Sequence, residues 1–192
     1  MMTLETLQQE YCAGKKYRFL FFWGHSPQPD GIIGSGCLSQ WWMRPFSIND
    51  ITYSCAEQYM MAEKARLFDD RVMLSKIMAA RNPADMKRYG RSVKNFSGPV
   101  WDEQCVQIVR TANKAKFGQN PDLFSFLSGT YGKIIAEASP HDRIWGIGMG
   151  KDHPDAGNPM KWRGTNLLGF ALTDVRDELM KEMNKIKEGE DV

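Results

Sequence analysis

Apolar and polar positions follow two periodicities along the chain, and each predicts one kind of element. Short runs of aromatic and branched residues at 17–23, 39–42, 46–48 and 133–138 are typical of buried strands. Elsewhere apolar residues recur every three to four positions, which predicts helices over 3–12, 54–68, 71–80, 82–90, 100–117 and 121–128, and from 166 onward. Because helices dominate, we expect a compact, predominantly helical α+β domain with a small β-sheet.

The organisation of the chain predicts one domain, because the sequence contains no internal repeat and no linker-like segment. Residues 1–16 are interpreted as an N-terminal extension that forms a short docking helix. Residues 17–180 are interpreted as the domain itself. The charged segment 181–192 is interpreted as a C-terminal tail that frays.

The helix expected at 54–68 carries two charged residues within its apolar stripe. On a helical wheel Glu57 and Lys64 lie two turns apart in the middle of that stripe, whereas Gln58 lies on the opposite arc. Because burying an unpaired charge is costly, such residues tend to be paired, shifted in pKa or functional. A structural interpretation stays open: Glu57 fits a capping box with Ser54, and Lys64 can lay its methylenes on the core while its amine reaches water.

Composition and charge narrow the class of protein. Apolar residues make up 42% of the chain and its net charge is +2, which is ordinary for a globular chain and too small to indicate nucleic acid as an electrostatic partner. Cysteines and histidines show neither disulfide nor metal spacing, so we expect reduced thiols and no metal. We also expect a cytoplasmic protein, with no signal peptide and no membrane span.

A loop expected after the 133–138 strand carries a second set of candidates. Asp142 follows the end of that strand, where polar residues are frequently catalytic, although a turn-forming Asp is an equally good interpretation. The glycines of Gly146-Ile147-Gly148-x-Gly150 can offer backbone amides to a phosphate, or can simply form a tight turn. Asn166, at the start of the last helix, either caps that helix or binds a ligand.

Lys116 and the tryptophans complete the candidates. Lys116 lies at the edge of the stripe expected on helix 100–117. That stripe consists of Trp101, Cys105, Ile108, Ala112 and Ala115. For the tryptophans core packing is the commoner role, and stacking on a base is the alternative. The sequence has no Gly-x-Ser-x-Gly elbow and no P-loop, which excludes the common serine hydrolase and P-loop nucleotide sites.

Taken together, several motifs form an ordered series from about Tyr17 to Glu178. The series includes Phe21-Phe22-Trp23-Gly24-His25, Leu38-Ser39-Gln40-Trp41-Trp42, Ala56-Glu57-Gln58-Tyr59-Met60-Met61-x-x-Lys64-Ala65, Gly90-Arg91-x-Val93-x-x-Phe96, Asn113-x-Ala115-Lys116-Phe117, Glu137-Ala138-Ser139-Pro140-x-Asp142-x-Ile144-Trp145-Gly146 and Trp162-x-Gly164-x-Asn166. This series resembles the YbiA-like, or NADAR, family. Gln58 stands where many relatives carry His, and we expect little effect from that difference.

The resemblance implies a mostly helical α+β domain and an N-glycosidase that cleaves a ribose C1–N bond without a cofactor. Such a reaction passes through an oxocarbenium-like state and needs a carboxylate near C1, a role for Glu57 or Asp142. Lys64 would hold a phosphate or ribose oxygen or keep Glu57 ionised. Among the other expected substrate-binding residues, Trp23 or Trp145 would stack on the base, and Trp101 is a further substrate contact. The amides of Gly146 and Gly148 would meet the phosphate, with Lys116 as a second phosphate contact. Asn166 would hold a ribose hydroxyl.

Three functional hypotheses remain at this point. The first is hydrolysis of phosphoribosylamino-pyrimidine intermediates of riboflavin synthesis. The second is removal of ADP-ribose from guanine in nucleic acid, and the third is a non-catalytic sensor that binds NAD-derived metabolites. The sequence does not identify the leaving base, the stereochemistry at C1 or the oligomeric state.

Overall fold

The computed structural model describes the backbone of residues 2–190 and the side chains of residues 2–185. Its helices are α1 (Leu4–Cys12), α2 (Ala56–Leu67), α3 (Arg71–Ala79), α4 (Pro83–Arg91), α5 (Gly98–Gly118), α6 (Pro121–Ser128) and α7 (Leu167–Glu190). Its strands are β1 (Phe19–Phe22), β2 (Phe46–Ile48), β3 (Ile51–Tyr53) and β4 (Ile134–Glu137). Single 3₁₀ turns occur at Ser35–Leu38 and Pro159–Lys161. No helix of the described chain is long and apolar enough to cross a membrane.

The predominantly helical α+β class predicted from the sequence is confirmed, and each predicted helix is present within a few residues of its expected bounds. One strand prediction, at 39–42, is wrong. The Ser39 amide closes the preceding 3₁₀ turn on Gly36 O, and Gln40 O accepts the Glu57 amide at 2.9 Å. The backbone groups that a strand would use are therefore committed to a turn and to the start of α2.

Contacts divide the chain into two units, of which unit 1 comprises Met1–Ser39 and Asp122–Val192. Its sheet is the parallel pair β1–β4, in register from Phe19 opposite Ile134 to Phe22 opposite Glu137. Helix α7 packs on β4. The predicted docking helix α1 inserts Leu7 into the same core, which Ile134, Trp162 and Phe170 also build. Helix α7 continues to Glu190 through most of the segment expected to fray, and residues 191–192 lie outside the described chain.

Unit 2 comprises Gln40–Pro121 and is built around α2. The antiparallel pair β2–β3 turns at Asn49 and Asp50, whose φ angles of 50° and 62° suit residues that tolerate the left-handed region. Helices α3, α4 and α5 all pack on α2. Gly90 of α4 lies so close to Met61 that a Cβ at this position would collide with the thioether. Three neighbours therefore bury α2 on more than one face.

This enclosure corrects the helical-wheel interpretation of α2. Gln58, predicted to lie opposite the core, is buried, and so are Tyr59 and Ala62. On α5 the buried stripe is also rotated from the predicted one. It consists of Cys105, Val109, Ala112, Asn113, Lys116 and Phe117. Lys116 therefore lies in the middle of the buried face rather than at its edge, because α5 packs on α2 through that face.

Candidate active site

The first turn of α2 carries the strongest candidate, Glu57, whose side chain is only 5% exposed. The capping-box interpretation of this residue is wrong. The Ser54 amide and hydroxyl donate to Gln58 Oε1 at 2.7 and 3.0 Å, so the residue that reaches back to Ser54 is Gln58. The Glu57 amide donates to Gln40 O. The Ser54 cap therefore does not account for the buried carboxylate of Glu57.

Gln58 has a structural role that its position on the wheel did not indicate. Its Nε2 donates to Ile77 O at 3.1 Å and to Met78 O at 3.2 Å, at the C-terminal end of α3. Its Oε1 accepts from Ser54. The side chain thus satisfies backbone groups at the start of α2 and the end of α3. All of its polar atoms are committed to the protein itself.

Lys116 of α5 is fully buried and lies in the same interior as Glu57. Burial raises the pKa of the Cys55 thiol, the Glu57 carboxylate raises it further, and the Lys116 ammonium lowers it. Both charges are therefore close enough to act on one thiol. A raised pKa disfavours the thiolate form that a nucleophilic cysteine needs. The structure thus brings together two sequence-predicted residues of opposite charge in the core of unit 2.

Two buried amides in the same unit were not assigned a role from the sequence. Asn113 Nδ2 donates to Gln40 Oε1 at 2.8 Å and to Val109 O at 2.9 Å. Asn113 is fully buried and Gln40 is 8% exposed. Within the described structure, Gln40 Nε2 and Asn113 Oδ1 have no hydrogen-bond partner. The cluster of Gln40, Glu57, Asn113 and Lys116 is called the polar chamber below.

Lys64 lies among aromatic rings, two turns along α2 from Glu57. Its Nζ is 4.2 Å from the centroid of the Phe96 ring and 5.4 Å from that of Trp101. Desolvation lowers the pKa of Lys64, and the nearby Arg91 guanidinium lowers it further. A lysine beside two aromatic faces, with a second cation near enough to act on it, forms an arrangement suited to an anionic ligand that carries a ring. The structure therefore brings Lys64 and Trp101 together, as an aromatic-cationic cluster of Lys64, Arg91, Phe96 and Trp101.

In unit 1, Asp142 organises the loop that follows β4. Its Oδ1 accepts from the amides of Ile144 and Trp145 at 2.9 and 2.7 Å. Its own amide donates to Ser139 Oγ at 3.2 Å, and its carbonyl accepts from the Gly148 amide at 3.1 Å. One carboxylate oxygen of Asp142 thus forms the turn, as one of the two interpretations of the sequence predicted.

The glycines of this loop allow backbone segments to pack closely. A Cβ at Gly146 would lie 2.8 Å from Glu137 O, and one at Gly148, where φ is 70°, would lie 2.9 Å from Arg163 Cβ. The Ile147 amide donates to Glu137 O and the Gly148 amide to Asp142 O. Because these two amides are bonded within the protein, the geometry favours the tight turn over the predicted phosphate cradle.

Asn166 precedes α7 and is fully buried. Its Oδ1 accepts from the Glu137 amide at 3.0 Å, and its Nδ2 donates to Ile135 O at 3.1 Å. The side chain thus bonds β4 much as a neighbouring strand would, and φ of 55° gives its backbone a left-handed conformation. A ribose hydroxyl would have to displace one of these bonds, so the geometry favours a structural role.

The two tryptophans proposed for base stacking differ in accessibility. Trp23 follows β1 and is 63% exposed, whereas Trp145, in the loop that Asp142 organises, is half-buried. Trp162, by contrast, packs edge-on against Phe19 at 5.3 Å between ring centroids, within the core of unit 1.

Among the described residues no group of three or more His, Cys, Asp or Glu side chains is arranged to hold a metal ion.

Comparison with known proteins decides the family. Residues 21–180 match the NADAR domain. The chain belongs to the NADAR family. N-glycosidase R617 of Acanthamoeba polyphaga mimivirus is 40% identical over 166 residues, which cover 84% of this chain and 96% of that protein.

Two further NADAR relatives extend the comparison. The chloroplastic riboflavin biosynthesis protein PYRR of Arabidopsis thaliana is 30% identical over 131 residues, 66% of this chain and 20% of PYRR. The NMR structure of the E. coli protein YbiA superposes with a TM-score of 0.70 at 25% identity, covering 88% of this chain and 89% of YbiA. The resemblance inferred from the sequence motifs is thus confirmed, and so is the fold class.

The sequence contained a signal for one of the two unassigned amides, that of Asn113. Asn113 lies three positions before Lys116, on the face of α5 that the other buried residues form. A polar residue within an apolar stripe is the same anomaly that singled out Glu57 on α2. The predicted stripe was rotated by about one position, and this error hid the anomaly.

Proposed function

We propose that this NADAR protein is an N-glycosidase that hydrolyses the ribose C1–N bond of a phosphoribosylamino-pyrimidine of the kind formed in riboflavin synthesis. One observation carries the proposal. The Glu57 carboxylate is buried in the polar chamber with Lys116, and the capping role that could have explained Glu57 belongs to Gln58 instead. The names of two relatives, an N-glycosidase and a riboflavin biosynthesis protein, support the reaction and the substrate class.

The proposed reaction needs a carboxylate close to C1. Cleavage of the C1–N bond leaves positive charge on C1 and the ring oxygen. The ionised carboxylate of Glu57 stabilises this charge. Water adds to C1 and loses a proton, and the departing exocyclic nitrogen gains one. The products are ribose 5-phosphate and the free aminopyrimidine, so no oxidant, metal or cofactor is consumed. Lys116 supports this step, because a buried cation favours the ionised form of a carboxylate in the same interior.

The aromatic-cationic cluster supplies the proposed contacts for phosphate and base. Lys64 and Arg91 carry like charges near each other, and an anion between or beside them relieves their repulsion. Trp101 and Phe96 offer ring faces for stacking. Trp23, Trp145 and Asp142 stay candidates from unit 1, with one oxygen of Asp142 committed to its loop.

An ADP-ribosylated guanine is the alternative substrate, because its hydrolysis breaks the same kind of ribose C1–N bond. The alternative function is a sensor that binds such a ligand without catalysis. A net charge of +2 does not favour a long nucleic-acid groove, so the free ribotide is preferred here. The test incubates the protein separately with aminouracil ribotides and with ADP-ribosylated guanine DNA, and follows the sugar by mass spectrometry. We expect ribose 5-phosphate from the first. Release of ADP-ribose from the DNA alone would mean that the ADP-ribosylated guanine is the substrate. Release of sugar from neither compound would favour the sensor.

A further inference from the structure

The amides of Gln40 and Asn113 are oriented without ambiguity. Val109 O can only accept a hydrogen bond, so the Asn113 group that faces it at 2.9 Å must be Nδ2. The second bond of that nitrogen, at 2.8 Å, then identifies the facing atom of Gln40 as Oε1. Consequently Gln40 presents a nitrogen with unused hydrogens, and Asn113 presents an unused acceptor oxygen.

Leaving these atoms without partners is costly to the folded protein. An unsatisfied buried donor or acceptor costs about 1–3 kcal/mol, whereas an apolar pair of the same shape would cost little. The contrast with Gln58, whose polar atoms are all bonded, shows that this unit can satisfy a buried amide. A pair of buried amides with one open donor and one open acceptor therefore points to a ligand that completes them.

The chemistry of the two open atoms selects a hydroxyl group. A hydroxyl can donate to Asn113 Oδ1 and accept from Gln40 Nε2 with a single oxygen, which neither a carbonyl nor an ammonium can do. The backbones of Gln40 and Glu57 are bonded to each other, since the Gln40 carbonyl accepts the Glu57 amide at 2.9 Å, so the residue with the candidate catalytic carboxylate directly adjoins Gln40. A ligand with C1 at Glu57 has its nearest hydroxyl on C2, one bond away.

We propose that Gln40 and Asn113 bind the 2-hydroxyl of the ribosyl group and so position C1 at Glu57. This inference rests on the proposed function for the identity of the sugar. Both are positioning residues, because they act on the hydroxyl and not on the bond that breaks. Bonds to the 2-hydroxyl that tighten as charge develops at C1 would also favour the transition state.

The test compares binding of ribose 5-phosphate and 2-deoxyribose 5-phosphate by isothermal titration calorimetry. The wild-type protein should bind the ribose compound about tenfold more tightly, as expected for hydrogen bonds to otherwise unpaired buried groups. In Gln40→Met and in Asn113→Leu the two affinities should converge. Gln58→Met is the matched control: it replaces a buried amide of the same unit whose atoms are all bonded, and it should keep the tenfold ratio.

Equal binding of the two sugars by the wild-type protein would overturn the inference, and so would a failure to bind ribose 5-phosphate at all. Sugar release in the ribotide assay would still leave the proposed function standing in either case. Discrimination between the sugars without hydrolysis would support the hydroxyl site and remove the catalytic function. Thermal unfolding of each variant establishes that it is folded, and the affinity ratio is measured within one variant, so partial loss of stability does not affect it.

Discussion

Two fully buried asparagines, one in each unit, perform different tasks with the same side chain. In unit 1 both ends of the Asn166 amide bond β4, at Glu137 N and Ile135 O. In unit 2 the Asn113 nitrogen is bonded, and its oxygen has no partner in the described structure. Because buried polar groups are almost always satisfied, the first asparagine is explained by the fold and the second calls for a ligand.

Arg176 of unit 1 and the polar chamber of unit 2 show the same contrast, although the buried Tyr17 hydroxyl of unit 1 also has no hydrogen-bond partner in the described structure. Arg176 in unit 1 donates to Thr130 O and Lys133 O at 3.0 and 2.7 Å, and its Nε pairs with Asp177. Its charge is accounted for by the turn that precedes β4. The polar chamber of unit 2 instead combines charged Glu57 and Lys116 with open amide atoms. Completeness of hydrogen bonding thus separates Asn166 and Arg176 from the two amides of the polar chamber.

The largest expected effect is on catalysis. Glu57→Gln keeps the shape of the side chain and removes its charge, so kcat should fall about 10²–10⁴-fold, the range typical of a lost catalytic carboxylate. Rates of sugar release from the ribotide measure the effect, with circular dichroism as the check on folding. Glu63→Gln is the matched control on α2, because Glu63 pairs with Arg66 one turn along the helix. Full activity in folded Glu57→Gln would remove Glu57 from the mechanism.

The next effect is on stability, in unit 1. Asn166→Leu removes two hydrogen bonds, leaves Glu137 N and Ile135 O unsatisfied, and puts a branched side chain at φ of 55°. We expect the free energy of unfolding to fall by about 3 kcal/mol. Urea titration measures it. Asn166→Gly separates the two causes, since it keeps the backbone conformation and loses only the side-chain bonds. A loss below that of an ordinary surface substitution would contradict the structural role.

A smaller effect concerns the aromatic-cationic cluster. Lys64→Met should raise KM about tenfold with little change in kcat, because it removes one contact to the phosphate and leaves the carboxylate in place. Lys76→Met serves as control, since that lysine also lies over a ring, Tyr89 at 5.9 Å, but on α3. An unchanged KM in Lys64→Met would place the phosphate elsewhere.

The pKa of Lys64 adds a pH dependence to the same prediction. Only the protonated amine attracts an anion, and desolvation together with Arg91 lowers this pKa. Wild-type KM should therefore begin to rise at a lower pH than an ordinary lysine would cause. The pH profile of KM measures this. Lys64→Arg should remove the rise, because a guanidinium stays charged throughout that range.

The smallest expected effect is the sharpest test of the comparison between the asparagines. Gln40→Met combined with Asn113→Leu replaces an incompletely bonded amide pair by apolar groups of similar shape. The free energy of unfolding without ligand should change by less than about 1 kcal/mol, and can rise. Urea titration beside Asn166→Leu gives the contrast directly. A loss as large as that of Asn166→Leu would mean that the amides of the polar chamber serve the fold after all.

Local patterns in the sequence were sufficient for the elements and for part of the site. Periodicity located the helices because each buries a stripe of its own residues. The charged residues within the stripe of α2 indicated Glu57 as unusual. The error at 39–42 arose because an aromatic run resembles a strand even where its backbone serves the start of a helix.

The sequence alone determined the helices, most of the strand runs, the family and the presence of charge within the stripe of α2, because these follow from residue type and spacing along one element. Only the tertiary structure decided which polar groups are satisfied. That Ser54 bonds Gln58 rather than Glu57, that Asn166 bonds β4, and that Asn113 keeps an open oxygen depends on atoms brought together by packing. Hydrogen bonds extend over about 3 Å, so no pattern along the chain can assign them before the elements meet.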